Sequence, residues 1–435
     1  MRPPAATDAV AAPVAATATP PALALTTFRA SIRLLLTRRF GTFWIASLLS
    51  SIGTWAQQVA EPWLLLTIGA SSFMVGLDSF AATAPAWLLT ILGGAMADRG
   101  DRRRIIARLQ SVQMLCPIAI IVLIATGMVR PWMIISLSVV VGVTDALSMP
   151  SFQSIVPTIV SRADIPYGLA LNSTQFNLSR IIGPSIAGLL MAGAGLTACF
   201  AISAASYIPF IAVALWILPS RRRTYPGTER APFRPFAEIR RIVHQPVVRG
   251  ALWAVLTTSA LCSPLVVFVP VLVRDGFHGG GTEFSAAVAS FGLGGLGGAL
   301  ALLSVGPSID RRRVSAYAAM SYGVVILLAA STPWVWSLPI LLVIAGAAMT
   351  VTNTAANTLV QSSAAPHLLG QTVSVYMFMM SAGISVGALL TGLLVTMLGV
   401  RTALAINGAA AIAIHAVNAS VWFRATVRTE PAAAS

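Results

Sequence analysis

The chain has 435 residues, of which 57% are hydrophobic and only 9% charged, with a mean hydropathy of +0.83 and a formal net charge of +15. Soluble domains carry about a quarter charged residues, so this chain cannot cover a water-facing surface, and its solvent over most of its length is lipid. All 28 basic residues are arginine; in a soluble protein that surplus would suggest nucleic acid, but beside apolar spans it sets membrane orientation. No nucleic-acid partner is expected.

Residues 1–27 are rich in Ala, Pro and Thr, and Asp8 and repeated prolines break any apolar run long enough for a secretory signal. They are expected to form a disordered cytoplasmic tail. Apolar stretches of membrane-crossing length then follow at about 41–67, 73–97, 104–127, 131–157, 168–194, 197–218, 247–273, 283–306, 314–331, 334–360, 368–396 and 400–422. The polar stretch 219–246, opening PSRRRTYPGTERAPFRP, divides these twelve into two sixes. It is expected to be a cytoplasmic linker with a short surface helix near 235–244. The expected organisation is thus all-α: six-helix bundles over 28–218 and 247–422, related by a pseudo-twofold axis, with a second cytoplasmic tail over 423–435.

Arginine fixes the sidedness. Twenty-four arginines fall on the side shared by the two termini, Arg130, Arg274 and Arg401 on the other, and Arg180 inside a span. This positive-inside bias is expected to place both termini on the cytoplasmic side of a multi-pass cell-membrane protein.

The stretch GGAMADRGDRRR (93–104) is echoed by GPSIDRRR (306–313). Gly94, Asp98 and Arg99 recur as Gly306, Asp310 and Arg311 at a spacing of 212, and Gly142, Gly183 and Gly188 recur as Gly346, Gly387 and Gly392 at a spacing of 204. The second six spans are therefore a diverged copy of the first, the plan of a secondary transporter whose halves rock about a central site. Cys116, Cys199 and Cys262 and the four histidines are scattered without metal-ligand or disulfide spacing. With no phosphate-cradling loop and no nucleophile motif either, neither a cofactor nor an enzyme activity is expected. A monomer is expected.

The pattern Gly94-x-x-x-Asp98-Arg99-x-x-Arg102-Arg103 resembles the loop motif of the major facilitator superfamily. FWIASLLSSIGTWAQQVAEPWLLLT (43–67), DALSMPSFQSIVPTIV (145–160) and ALNSTQFNLSRIIGPSIAGLL (170–190) resemble its bacterial branch of enterobactin exporters and macrolide efflux proteins. The resemblance covers about residues 28–425. It implies an inner-membrane exporter commonly driven by proton exchange, with Gly94, Asp98, Arg99, Arg102 and Arg103, and the second copy at Gly306, Asp310 and Arg311, forming a latch across the cytoplasmic face. Asp101 stands where the superfamily motif usually has glycine, and Val314 replaces a later arginine in the second copy, which weakens any latch there.

A charge at mid-bilayer costs about 2.5–3.5 kcal/mol on insertion scales, so intramembrane ionisable groups usually have a function. Four qualify: Glu61, Asp78, Asp145 and Arg180. Asp145 lies about 21 Å into span 4 and Arg180 about 18 Å into span 5 from the opposite face, which suggests an ion pair between them. Glu61 and Asp78 share a level in the outer half, joined by a short turn. Two neighbouring carboxyls cannot both ionise cheaply, so the pair is a candidate proton-coupling site, or both face water at the outer mouth. Amides recur at helical spacing, with Gln57, Gln153, Asn172, Gln175, Asn353 and Asn357 as candidates for the substrate path. Glue between helices is the competing role for each. The leading expectation is an exporter of amphipathic small molecules, drugs or siderophores, exchanged against protons. An importer of a small metabolite on the same fold stays open.

Overall fold

The computed structural model describes residues 31–87, 101–153, 155–161, 164–217, 245–304, 309–363 and 369–427, together with Leu89, Leu92 and Met96. The expected latch residues Gly94, Asp98, Arg99 and Gly306, and the linker helix at 235–244, lie outside the described residues. The described chain is helical throughout, without a strand. The helices are α1 (Arg38–Thr67), α2 (Ser72–Thr83), α3 (Arg102–Ala125), α4 (Pro131–Gln153), α5 (Ile165–Gly193) and α6 (Leu196–Ile217). The second set is α7 (Pro246–Gly276), α8 (Gly281–Ser304), α9 (Arg311–Ser331), α10 (Ser337–Ser363), α11 (Leu369–Leu398) and α12 (Val400–Val427).

Among the described residues nine of these are long and apolar enough to cross a membrane. The other three are α1, α5 and α2. Helix α1 carries Gln57, Gln58 and Glu61 and α5 carries Asn172, Gln175 and Arg180, while the described part of α2 is only 12 residues long.

The turns differ by face. On one face, helices end on a residue that can turn left-handed: Gly69 after α1 and Gly399 after α11 adopt φ of 82° and 81°, where a Cβ would strain the backbone. The opposite face carries the arginines and two aspartate caps. Asp101 accepts from Arg103 N–H at 3.1 Å and Asp310 from Arg312 N–H at 3.0 Å, each covering an orphan donor of the helix it opens.

By cap position Asp101-Arg-Arg-Arg matches Asp310-Arg-Arg-Arg, so Asp101 and Asp310 open their helices alike; Asp98, which the sequence repeat pairs with Asp310, lies outside the described residues.

The helix contacts repeat between the two sets. In the first, α1 packs on α5 and α6, α3 on α4 and α6, and α2 on α4; in the second, α7 packs on α11 and α12, α9 on α10 and α12, and α8 on α10. The principal contacts between the sets are α5 with α8 and α2 with α11, which exchange with each other under a twofold operation.

Glycines place this symmetry at atomic contacts. A Cβ on Gly188 would meet Ser285 O at 2.6 Å, and one on Gly392 would meet Ser72 O at 3.1 Å and Gly76 Cα at 3.3 Å. Within the sets, Gly142 closes on Ala82 O (2.5 Å) as Gly346 closes on Phe291 O, and Gly183 on Trp55 as Gly387 on Ala260 O. The 204-residue spacing of these glycines is thus a spacing of equivalent helix crossings.

Further contacts between the sets join the short-turn ends. Trp63 stacks on Phe284 at 4.7 Å, and Arg274 donates to the carbonyl of Leu66.

Candidate functional site

The polar stripe of α1 turns toward α6. Thr54 Oγ1 lies 3.1 Å from Tyr207 OH, Ser203 Oγ donates to Gln57 Oε1 at 2.7 Å, and Gln57 Nε2 donates to Glu61 Oε1 at 2.8 Å. One turn separates successive members, so the i,i+4 spacing lets Gln57 hand the carboxylate one neutral N–H. Glu61 is only 7% exposed.

Asp78 reaches α4, where Ser138 Oγ donates to it at 2.6 Å, and is 4% exposed. Glu61 and Asp78 lie within electrostatic reach of each other, as the sequence led us to expect of neighbours across a short turn. Neither forms an ion pair with a described cation. Both are therefore withdrawn from water rather than placed at an open mouth.

Asp145 differs. It lies two helical turns beyond Ser138 on the same face of α4, accepts from Gln113 Nε2 at 2.9 Å, and is nonetheless exposed. Gln113 is itself steadied by Gln110 Nε2 at 3.0 Å. The face that buries Ser138 against α2 thus opens, two turns on, into accessible space.

Arg180 is half-buried, its guanidinium 5.3 Å over the Trp55 ring. Tyr376 on α11 and Tyr322 on α9, both from the second set of helices, contribute to its electrostatic surroundings.

The expected Asp145–Arg180 ion pair is not formed: among the described residues no carboxylate pairs with Arg180. The reason is topological. Consecutive spans need not be neighbours, and α4 packs on α2 and α3 while α5 packs on α1 and α8.

The amides divide. Gln57 and Gln175 are buried and bonded to neighbouring helices; Gln175 accepts from Ser47 Oγ at 3.3 Å and donates to Ser51 Oγ at 2.9 Å. In this conformation both join helices and neither lines a path. Asn172, Asn353 and Asn357 are half-buried, and Asn357 Oδ1 accepts from Gln361 Nε2 at 3.1 Å. Gln153 closes α4, and its side chain lies outside the described residues.

Of the latch residues, Arg102 and Arg103 form the first turn of α3 behind Asp101, and Arg311 opens α9 behind Asp310. Asp310 is gripped by Arg312 through Nε at 3.0 Å and a terminal nitrogen at 3.1 Å. Partial burial works against its charge, but the Arg312 side-chain and backbone donors, with the charges of Arg312 and Arg313, outweigh it and hold the carboxyl below its ordinary value.

Sequence reasoning missed Gln113 and Ser138, which donate to Asp145 and Asp78, and Ser203, which donates to Gln57 and so steadies the donor of Glu61. Each is a common polar residue in an apolar span, and only the helix pairing reveals its role.

Fold and site together define a major facilitator transporter. The nucleoside transporter NupG superposes with a TM-score of 0.69 at 13% identity, covering 89% of this chain and 99% of that one. A bacterial homolog of the lysosomal transporter Spinster, in an inward-facing, unoccupied conformation, does so with a TM-score of 0.68 at 16% identity, covering 92% and 97%. The chain belongs to the transmembrane secretion effector family, which it matches over residues 30–434.

It is similar to the multidrug efflux pump Tap of Mycolicibacterium fortuitum, 26% identical over 80% of this chain and 87% of that protein. Macrolide efflux protein A of Streptococcus pyogenes is 22% identical over 87% and 95%. The staphyloferrin A transporter of Staphylococcus aureus is 29% identical over 40% of this chain, and that match spans less than half (43%) of the relative's length.

Proposed function

We propose that the chain exports amphipathic small molecules, drugs or siderophores, from the cytoplasm in exchange for protons, with Glu61 and Asp78 as the proton-handling pair. It acts as a monomer in the inner membrane, with both termini cytoplasmic and no cofactor. The observation that carries this reading is the burial of two carboxyls within electrostatic reach of each other, each given a neutral donor and, among the described residues, no ion-paired cation. Ionising both there is costly, so the pair holds and releases a proton as its surroundings change.

Alternation of access supplies that change. In the present conformation contacts between the halves occupy the short-turn end, through Trp63–Phe284, Gly76–Gly392 and Gly188–Ser285, and continue along α2 and α11 through Thr83–Ser385 and Trp87–Phe378. With the arginine-rich end cytoplasmic, this state is closed to the outside, and substrate loads from the cell interior near the accessible Asp145. Rocking to the outward-open state parts the short-turn ends and brings the Asp98 loop into a latch. The names of the efflux relatives support the outward direction, and that of the staphyloferrin A transporter supports a siderophore among the candidate cargoes.

Everted vesicles with an imposed pH gradient test the reading against a panel of drugs and siderophores. Glu61→Gln and Asp78→Asn are each expected to reduce gradient-driven accumulation to background while the protein still folds; undiminished accumulation in both would overturn the proton assignment. Asp98→Asn is expected to shift cysteine labelling toward the cytoplasm-open pattern.

A further inference from the structure

We propose that Arg180 is the anion-recognising point of the substrate site, so that the preferred cargo carries a carboxylate or comparable anionic group on an apolar body. This rests on the transporter reading above and names the substrate class of its central site.

Arg180 is the arginine that lies near the middle of a span rather than at its end, and its guanidinium has no ion-pair partner among the described residues. A guanidinium carries five donors in a planar fork. Here one face is occupied by the Trp55 ring, which stabilises the cation without neutralising it. Trp55 is itself fixed, because Gly183 lets α5 close on its Cβ and Phe176 meets its ring edge-on at 6.4 Å.

The groups of the other half that bear on it electrostatically are tyrosines. The Tyr376 hydroxyl proton is committed to the carbonyl of Asn353 at 3.0 Å, and that of Tyr322 points to Met349 Sδ at 4.0 Å. They soften the charge but supply no anion. The intramembrane acid expected as its partner, Asp145, is held by Gln113 on α3.

A half-buried, aromatic-backed cation on α5, a helix that packs against α8 of the other half, therefore has no anionic partner among the described residues. An incoming carboxylate would meet the free edge of the fork in bidentate geometry, while Trp55 and Phe176 offer an apolar surface to the rest of the molecule.

The test uses the full chain in lipid nanodiscs and two probes of equal size, 2-naphthoate and 2-naphthamide, measured by equilibrium dialysis at neutral pH without any gradient. The wild type is expected to bind the carboxylate at least about tenfold more tightly than the amide. Arg180→Gln should bring that ratio close to one, and Arg180→Lys should leave an intermediate ratio, since a point charge replaces the fork. A wild-type ratio near one, no saturable naphthoate binding, or a ratio unchanged in Arg180→Gln overturns the proposal. The wild-type ratio and Arg180→Lys decide it even where Arg180→Gln does not reconstitute. No proton movement is involved, so this result stands apart from that of the vesicle experiment.

Discussion

The two halves of the molecule share their packing and not their chemistry. The glycine crossings that align Gly183 on Trp55 with Gly387 on Ala260 place Val266 at the position of Glu61. The crossings that set Gly142 on Ala82 and Gly346 on Phe291 place Ala287 at the position of Asp78. At the 204-residue spacing Asp145 becomes Met349 and Arg180 becomes Ile384. All four intramembrane ionisable groups of the first half are thus apolar in the second. Duplication preserved the close helix crossings that any rocking pair of bundles needs, while only one copy kept the groups that are costly in lipid. The second half departs in its own way: α7, unlike α1, contains π-helical turns at Thr258–Cys262 and Leu272–Gly276, and His415 Nε2 sits 3.2 Å from Thr258 Oγ1 beside the first of them.

The contrast can be broken most sharply at its chemical end. Val266→Ala, at the counterpart of Glu61, should leave pH-gradient-driven accumulation at the wild-type level under conditions where Glu61→Gln reduces it to background. A coupling defect from Val266→Ala would mean that proton handling is shared between the halves.

The packing end predicts the opposite, equality. Gly142→Leu and Gly346→Leu each drive a side chain into the backbone of a neighbouring helix, and overpacking of this kind costs about 1–3 kcal/mol. Both should lower the thermal midpoint in detergent by similar amounts; a silent Gly346→Leu would show that the crossings are not equivalent.

A smaller effect tests the correspondence of the two caps. Asp101→Ala and Asp310→Ala should each cost about 1 kcal/mol as lost helix caps, whereas under the sequence-repeat pairing Asp98→Ala would match Asp310→Ala instead. The Asp310 cap also carries a pH signature. Its folded carboxyl titrates below the unfolded one, so its stabilisation is complete above about pH 4 and fades as pH falls through the lowered folded value. Asp310→Asn should remove that acid-side slope in thermal unfolding.

Helix positions were legible because a lipid solvent leaves few options: the observed ends of α3, α6 and α8 fall within a few residues of the apolar stretches read from composition. The glycine repeat was legible for a related reason, since close crossings tolerate no Cβ. The cap role of Asp101 was not, because Asp98 and Asp101 both precede arginines and the sequence does not say which of them opens α3. Nor could depth along a span reveal that Asp145 and Arg180 stand on helices with different neighbours, or that Gln57 and Gln175 face partners rather than a path. These are facts of rotation about the helix axis, and a chain apolar on most sides gives that rotation little sequence signal.

Infrared difference spectroscopy of the reconstituted protein tests the central claim, that Glu61 and Asp78 exchange a proton inside the first half, without knowledge of the cargo. The account predicts a protonated-carboxyl band that titrates with pH in the wild type and disappears in the Glu61→Gln/Asp78→Asn double variant. A wild type with no such band, or a band undiminished in the double variant, would contradict it.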